Sequence, residues 1–384
     1  MFVSVALHGA TVYAVTRPNI TANTDRLPFF DWMMNAFHLF ITPVFFFVGG
    51  FFTVIMLRHK SVGTFVRERL VRTGIPLVAT ALTLNVLELY LRWRDAGGDL
   101  GLVGFLTSGA YLEIVADARW QLHLWFLVCL IPFFMLCAAV QAAVPADARV
   151  RGLAVGLSDR LGRLADRPWA APLFLLALAA VNVVNFAVLA AIPGTYDVLV
   201  PGVLPLYRMF SEFPFFILGL MAAASPALLQ AIWRWRLWMP LAALLMFVWA
   251  PIPSDAKGQS EGMQLFTLYA NQLAIWVLVF FVLQFFHRFF AESSPTRAWL
   301  ADAALSMYLV HHALIYVYGT LFTNVDWHPV AEFVLVSTLA ATSVLAFHQY
   351  GIRRFPLLRL MFNGKTDLGR KTATAAAAAP VPAE

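Results

Sequence analysis

The segment WMMNAFHLFITPVFFFVGGFFTVIML, residues 32–57, decides how the chain must fold. It carries no Lys, Arg, Asp or Glu and exceeds the ~20 apolar residues that an α-helix needs to cross a bilayer. Working outward, comparable runs fall near residues 2–16, 75–91, 121–144, 169–191, 203–224, 237–253, 264–287, 303–322 and 330–349. The whole chain of 384 residues is 61% hydrophobic and only 12% charged, with a mean hydropathy of +0.74, far from an ordinary soluble domain. These features predict an all-α, polytopic transmembrane bundle of about ten helices, bound to the lipid bilayer, with many of the 12 tryptophans at the ends of apolar runs as interface anchors.

The basic residues orient that bundle. With both termini in the cytoplasm, the inner segments hold Arg58, Lys60, Arg67, Arg69 and Arg72, then Arg149 to Arg167, Arg234 and Arg236, Arg288 and Arg297, and a tail from Arg353 to Lys371. The outer segments hold only Arg17, Arg26, Arg92, Arg94, Arg119 and Lys257, as the positive-inside rule requires. The formal charge of +6 is thus an orientation signal, and no nucleic-acid partner is expected. No internal repeat is evident, and Cys129 and Cys137 share one apolar run, where thiols behave as small hydrophobes. The organisation expected is one transmembrane domain over residues 1–352 and a cytoplasmic tail over 353–384, basic and then low-complexity (TATAAAAAPVPAE).

Ionisable groups inside the spans are the candidates for chemistry, because a polar side chain at bilayer depth is costly. His8, in ALHGATVYAVTRP, lies roughly 13 Å from the Arg17 end of its run at 1.5 Å per residue. His38, His123, Glu88 and Arg208 fall nearer the outer surface, with Glu212 one turn from Arg208 on the same helix face. His38 and His123 could be interfacial side chains satisfied by water, and Arg208 and Glu212 a structural ion pair. His311 and His312 return to mid-depth, and adjacent residues point about 100° apart, so one of the two is expected to face the interior. No P-loop, GxSxG, HExxH or Rossmann glycine pattern is present.

Four motifs in order carry a family resemblance: FHLFITPVFFFVGGFF from Phe37, RERLVRTGIP from Arg67, LHLWFL from Leu122 and LSMYLVHH from Leu305. Together they resemble the membrane-bound acyltransferase 3 family, and within it the branch proposed to succinylate periplasmic glucans. The resemblance implies an O-acyltransferase of the bacterial inner (cytoplasmic) membrane with His8 as its catalytic histidine. It also implies an arginine about eleven residues before that histidine, a position ahead of Met1, so the first helix is expected to continue upstream. Acyl-CoA, as succinyl-CoA or acetyl-CoA, is the implied co-substrate, its phosphates meeting Arg67, Arg69 and Arg72. His8 would act as general base or carry the acyl group. His38, His123, Trp125, Arg208, Glu212 and His311 would hold the acceptor, a periplasmic glucan or other envelope glycan. No metal and no bound cofactor are expected. A transporter or flippase for a polar sugar or lipid is the rival reading, since it too would use ionisable groups at mid-depth.

The topology makes a first prediction. Reporter fusions after residue 255 should read outside and fusions after residue 365 inside, and the opposite reading at either site would overturn the orientation.

Overall fold

The computed structural model describes residues 1–16, 20, 26–145, 148–194, 198–200, 204–249, 260–323, 325 and 327–366. Eight helices are long and apolar enough to cross a membrane: Pro28–His59 (α2), Val62–Asp95 (α3), Arg119–Ala143 (α4), Ala170–Ala191 (α5), Leu206–Ala224 (α6), Glu261–Phe290 (α8), Pro295–Leu321 (α9) and Pro329–Ile352 (α10). Two shorter apolar helices, Phe2–Tyr13 (α1) and Met239–Trp249 (α7), fall in the two remaining runs. Each of the ten apolar runs therefore holds a helix. A short antiparallel ribbon, Val198–Val200 with Leu204–Pro205, precedes α6. Arg17, Lys257, Lys371, the fusion site after residue 255 and the alanine-rich tail lie outside the described residues.

The helices are longer than hydropathy alone outlines. The segment with Arg67, Arg69 and Arg72, read as an inner loop, is the first part of α3, which starts at Val62 behind a Ser61 cap and continues through π-helical turns at Leu70–Gly74 and Ala81–Asn85. Charge removed these residues from an apolar window, yet helix propensity and a cap suffice to extend the helix past the lipid boundary. The inner segment Arg149–Ala165 is likewise a helix, amphipathic, with Leu153 and Leu157 exposed on its apolar side.

Prolines set two further features. In α2 the regular helix is interrupted at Leu39–Phe40, four residues ahead of Pro43, which has no N–H to give the Leu39 carbonyl. In α6, Pro214 frees the Phe210 carbonyl, and Asn185 of α5 donates to it at 2.9 Å. An apolar medium leaves no other donor for that carbonyl.

Packing gathers the described residues into two large apolar cores and a small cluster of Leu7, Met34 and Ile41. One is built by α1, α9, α10 and the start of α4, with Tyr13, Leu309 and Val336 fully buried. The other joins the second half of α2 to α4, α5, α6, α7 and α8 around Phe46, Phe216 and Trp276. Phe126 packs against both. The second core depends on close backbone approach between α2 and α6: a Cβ on Gly50 would overlap the Phe216 carbonyl, and one on Gly219 would overlap the Phe47 carbonyl. Small residues at a helix crossing let backbones meet where water supplies no hydrophobic drive. Gly50→Val should therefore abolish accumulation of folded protein in the membrane, read as loss of the monodisperse peak in detergent, while Gly63→Ala, at a position with open space, should leave it unchanged.

Candidate active site

Three helices deliver four imidazoles to one place: His8 from α1, His123 from the start of α4, and His311 and His312 from α9. The His8 ring lies 4.6 Å from His312, 5.2 Å from His311 and 6.2 Å from His123, centroid to centroid. His123 and His312 stack at 4.6 Å with 13° between their planes. The expectation that only one of His311 and His312 faces inward is corrected here, since both are buried, at 1% and 6% exposure. The reason is that α9 is surrounded: α1 and α10 pack on it, and the Glu88 side of α3 reaches it, so two faces 100° apart both meet protein.

His312 is the most firmly held of the four. Its Nδ1 donates to Glu88 Oε2 at 2.8 Å, and Arg92 donates from Nε and Nη2 to Glu88 Oε1 at 2.8 and 2.6 Å. A carboxylate only accepts, so a proton is held on Nδ1. His311 Nδ1 donates to the Met307 carbonyl at 2.7 Å, and its Nε2 is buried with no hydrogen-bond partner among the described residues. Both ring nitrogens of His123 are in the same condition. The His8 ring packs against the other three imidazoles and makes no hydrogen bond among the described residues, which leaves its nitrogens available to a substrate. No three His, Cys, Asp or Glu side chains among the described residues are arranged to hold a metal ion.

Strained backbone aims His123. The turn ahead of it has Ala118 at φ 58° and Leu122 at φ 48°, ψ −118°, in the left-handed half of φ space that a leucine avoids. Asn85, buried in the second π-helical turn of α3, donates through Nδ2 to the Trp120 and Gln121 carbonyls at 3.0 and 3.1 Å. Tyr308 of α9 donates to the His123 carbonyl at 2.5 Å. The turn is thus clamped on both sides. A π-helical turn adds a residue to the helix and rotates every side chain beyond it, and Glu88 lies in the first α-helical turn past this one.

Three cavities adjoin one another here, and the clustered histidines line two of them. An inner one of about 570 Å³ lies at the arginine-rich end, with Lys60, Glu68, Arg69, Arg72, Thr73 and Asp302 in an otherwise apolar wall, Lys60 being paired with Glu68. An outer one of about 300 Å³ opens at the opposite end between Asn35, His38, Arg92, Trp125, Arg208 and His312. A small chamber of about 50 Å³ between them shares Phe45, Phe126 and Tyr308 with the inner cavity, and His8, His38, His123 and Trp125 with the outer. His8 lines both the chamber and the outer cavity.

The remaining sequence candidates divide. Arg69 lines the inner cavity with its guanidinium 4.5 Å from the Phe134 ring centre, and its Nε and Nη2 have no hydrogen-bond partner among the described residues. Arg72 lines the same cavity, whereas Arg67 is exposed and outside its lining. Arg208 lies 5.1 Å over Trp125 and donates to the Tyr207 hydroxyl at 3.0 Å. The alternative of a structural Arg208–Glu212 ion pair is not realised among the described residues, because stacking on Trp125 draws the guanidinium toward the outer cavity. Glu212 lines none of the three cavities, and its Oε2 is buried without a hydrogen-bond partner among the described residues. Sequence reading named Glu88 and His312 among the ionisable groups of the spans without giving either a role, and left Arg92, Asn85 and Tyr308 out of the site. The Glu88–Arg92 spacing of one helical turn was the available signal for two of them.

A multi-pass helical protein with a buried histidine cluster between two cavities is the class that fold and site define. The acyltransferase 3 family, described as "Acyltransferase domain", matches residues 1–348, and the chain belongs to it: it is a membrane acyltransferase. It is 26% identical over 385 residues to the protein named "Glucans biosynthesis protein C" of Escherichia coli O157:H7 (strain EC4115 / EHEC), covering 97% of this chain and 93% of that one. Proteins of the same name in Shigella dysenteriae serotype 1 (strain Sd197) and Escherichia coli (strain K12) are 25% and 26% identical over 382 residues, with the same coverage. No solved structure matches the chain.

The clamp on the His123 turn gives a prediction. Asn85→Ala leaves two carbonyls of a strained turn without their donor and should lower acyl transfer at least about tenfold, each lost partner being worth about 1–3 kcal/mol. Leu122→Gly, which accepts the positive φ without strain, should recover much of that loss when added to Asn85→Ala. Failure to recover would show that Asn85 acts elsewhere.

Proposed function

We propose that this protein moves an acyl group from a cytoplasmic acyl-CoA to a hydroxyl of a glycan on the far side of the inner membrane. The carrying observation is that His8 sits where the chamber leading from the inner cavity meets the outer cavity. In this reading the arginine-rich end faces the cytoplasm, in keeping with the distribution of basic residues. Arg69, half-buried with Nε and Nη2 unbonded among the described residues, and Arg72 receive the donor's phosphates, and the apolar part of the wall takes the pantetheine arm. The thioester carbonyl enters the chamber beside His8 and His311.

The acceptor hydroxyl comes from the other side, where Trp125 offers a face for a sugar ring and Arg92, Arg208 and His38 offer polar contacts. His8 takes the hydroxyl proton as the oxygen attacks the thioester carbon. The new C–O bond forms, the C–S bond breaks, and the proton passes to the departing thiolate to give CoA–SH. His312, held by Glu88, stabilises positive charge on the neighbouring ring through its own fixed dipole and the buried carboxylate behind it. The relatives' printed name supports a glucan as the acceptor, and Arg208 at the outer cavity is placed to meet a carboxylate if the acyl group is succinyl.

The test uses purified protein in lipid nanodiscs, acyl-CoA and an oligoglucoside, with product read by mass spectrometry. His8→Gln should lower transfer by about 10²–10⁴-fold with insertion unchanged, and residual activity above about a tenth of wild type would exclude His8 as the base. His312→Gln should also cost more than about tenfold because it breaks the Glu88 contact. Replacing Arg69 and Arg72 together with Gln should raise KM for acyl-CoA with little change in kcat, and an unchanged KM would return both to a topological role.

A further inference from the structure

The three aromatic side chains shared by the inner cavity and the chamber form a neck, and we propose that Phe126 is a specificity-determining residue there, limiting the donor to short acyl groups. This inference rests on the acyl-CoA reading above.

The chamber is small and its exits are unequal. At about 50 Å³, with a water needing about 10–15 Å³ of such space, it holds about four non-hydrogen atoms. That accommodates a thioester carbonyl and the first carbons of its tail beside His8 and His311. A longer tail would have to leave. The way back passes between Phe45, Phe126 and Tyr308, and the donor's own pantetheine arm fills it. The side toward α2 and α4 is closed by Phe46, 4.8 Å from Phe126 and 5.6 Å from Phe133. Forward lies the outer cavity, where His38, Arg92 and Arg208 offer a hydrocarbon none of the ~0.8 kcal/mol per methylene that apolar burial supplies, leaving it only Met34, Leu122 and the face of Trp125 in a polar rim. A tail that ends in a polar group has no such penalty there, so the limit is on apolar length rather than on every larger acyl group.

Phe126 is the member of the neck whose removal changes this. Tyr308 is tied to the His123 carbonyl, so altering it disturbs the histidine cluster itself. Phe126 faces Phe45 at 5.9 Å and Tyr308 at 5.9 Å, and stands at the junction of the two apolar cores. Its truncation to alanine merges the chamber with the apolar inner cavity, where a longer tail can fold back against Leu127, Leu130 and Phe134.

The experiment measures kcat/KM for acetyl-, succinyl-, hexanoyl- and decanoyl-CoA with wild type, Phe126→Ala and Phe45→Ala in nanodiscs. Wild type should prefer acetyl over decanoyl at least tenfold, and Phe126→Ala should raise the decanoyl-to-acetyl ratio at least tenfold. Phe45→Ala should move the ratio the same way, which keeps the test decisive if Phe126→Ala does not fold. A flat wild-type series, or a ratio unmoved in every folded variant while acetyl or succinyl is still transferred, overturns the gate alone. Wild type that acylates glycan in cells but uses none of these thioesters overturns the acyl-CoA reading and the gate with it.

Discussion

The carboxylate of Glu88 is the constraint on which the site depends. It is 1% exposed within a membrane-spanning helix, where an isolated charge would be costly by several kcal/mol, and it persists because Arg92 and His312 bracket it. That bracket joins α3 to α9, holds a proton on Nδ1 of His312, and through ring contacts fixes the neighbours of His8. Breaking it by removing one partner leaves a buried charge uncompensated, the costly way to lose a buried pair. The π-helical turn at Ala81–Asn85 belongs to the same device. One extra residue in α3 aims Asn85 at the His123 turn and Glu88 at α9.

Helix existence and order were legible in the sequence because a bilayer asks for long apolar runs, and such runs are read directly from composition. His8 was legible for the converse reason: an imidazole in an apolar run calls for an explanation. Partnerships were not legible. Glu88 and His312 are 224 residues apart, and nothing local in either segment names the other. The choice between His311 and His312 rested on helical geometry that assumes one buried face, and α9 has more than one. Arg208 and Glu212 satisfied the spacing for an ion pair, yet the aromatic face of Trp125 took the arginine. The start of α3 was hidden by its own charges.

The cavities also bear on the choice between acyl transfer and transport. A carrier for a polar sugar needs a polar site that opens to each side in turn. Here the inner cavity is mostly apolar with arginine at its mouth, the outer one is rich in polar groups, and aromatic rings narrow the space between them. Such asymmetry suits two different ligands that meet at their reactive ends, one with an apolar arm and anionic groups, the other with hydroxyls. The family is one of acyltransferases, which bring a donor and an acceptor together.

The inner cavity depends on residues beyond the family match at 1–348. Asp302, in its wall, receives Lys365 and lies 3.3 Å from His348 Nε2 and 3.7 Å from Arg359 Nη1, while Asn363 donates to the Asp302 carbonyl at 2.7 Å. The helix Pro356–Asn363 ends in Gly364 at φ 62°, and a Cβ there would overlap the backbone of Arg72. A glycine is required both by the left-handed turn and by the closeness of α3. Composition alone places this segment in a basic tail, since it is short and arginine-containing. Its packing instead makes it a support beneath Arg72, so the position of an inner-cavity arginine is set in part by the C-terminal helix, and Lys365 and Arg359, which look like tail, lie against Asp302.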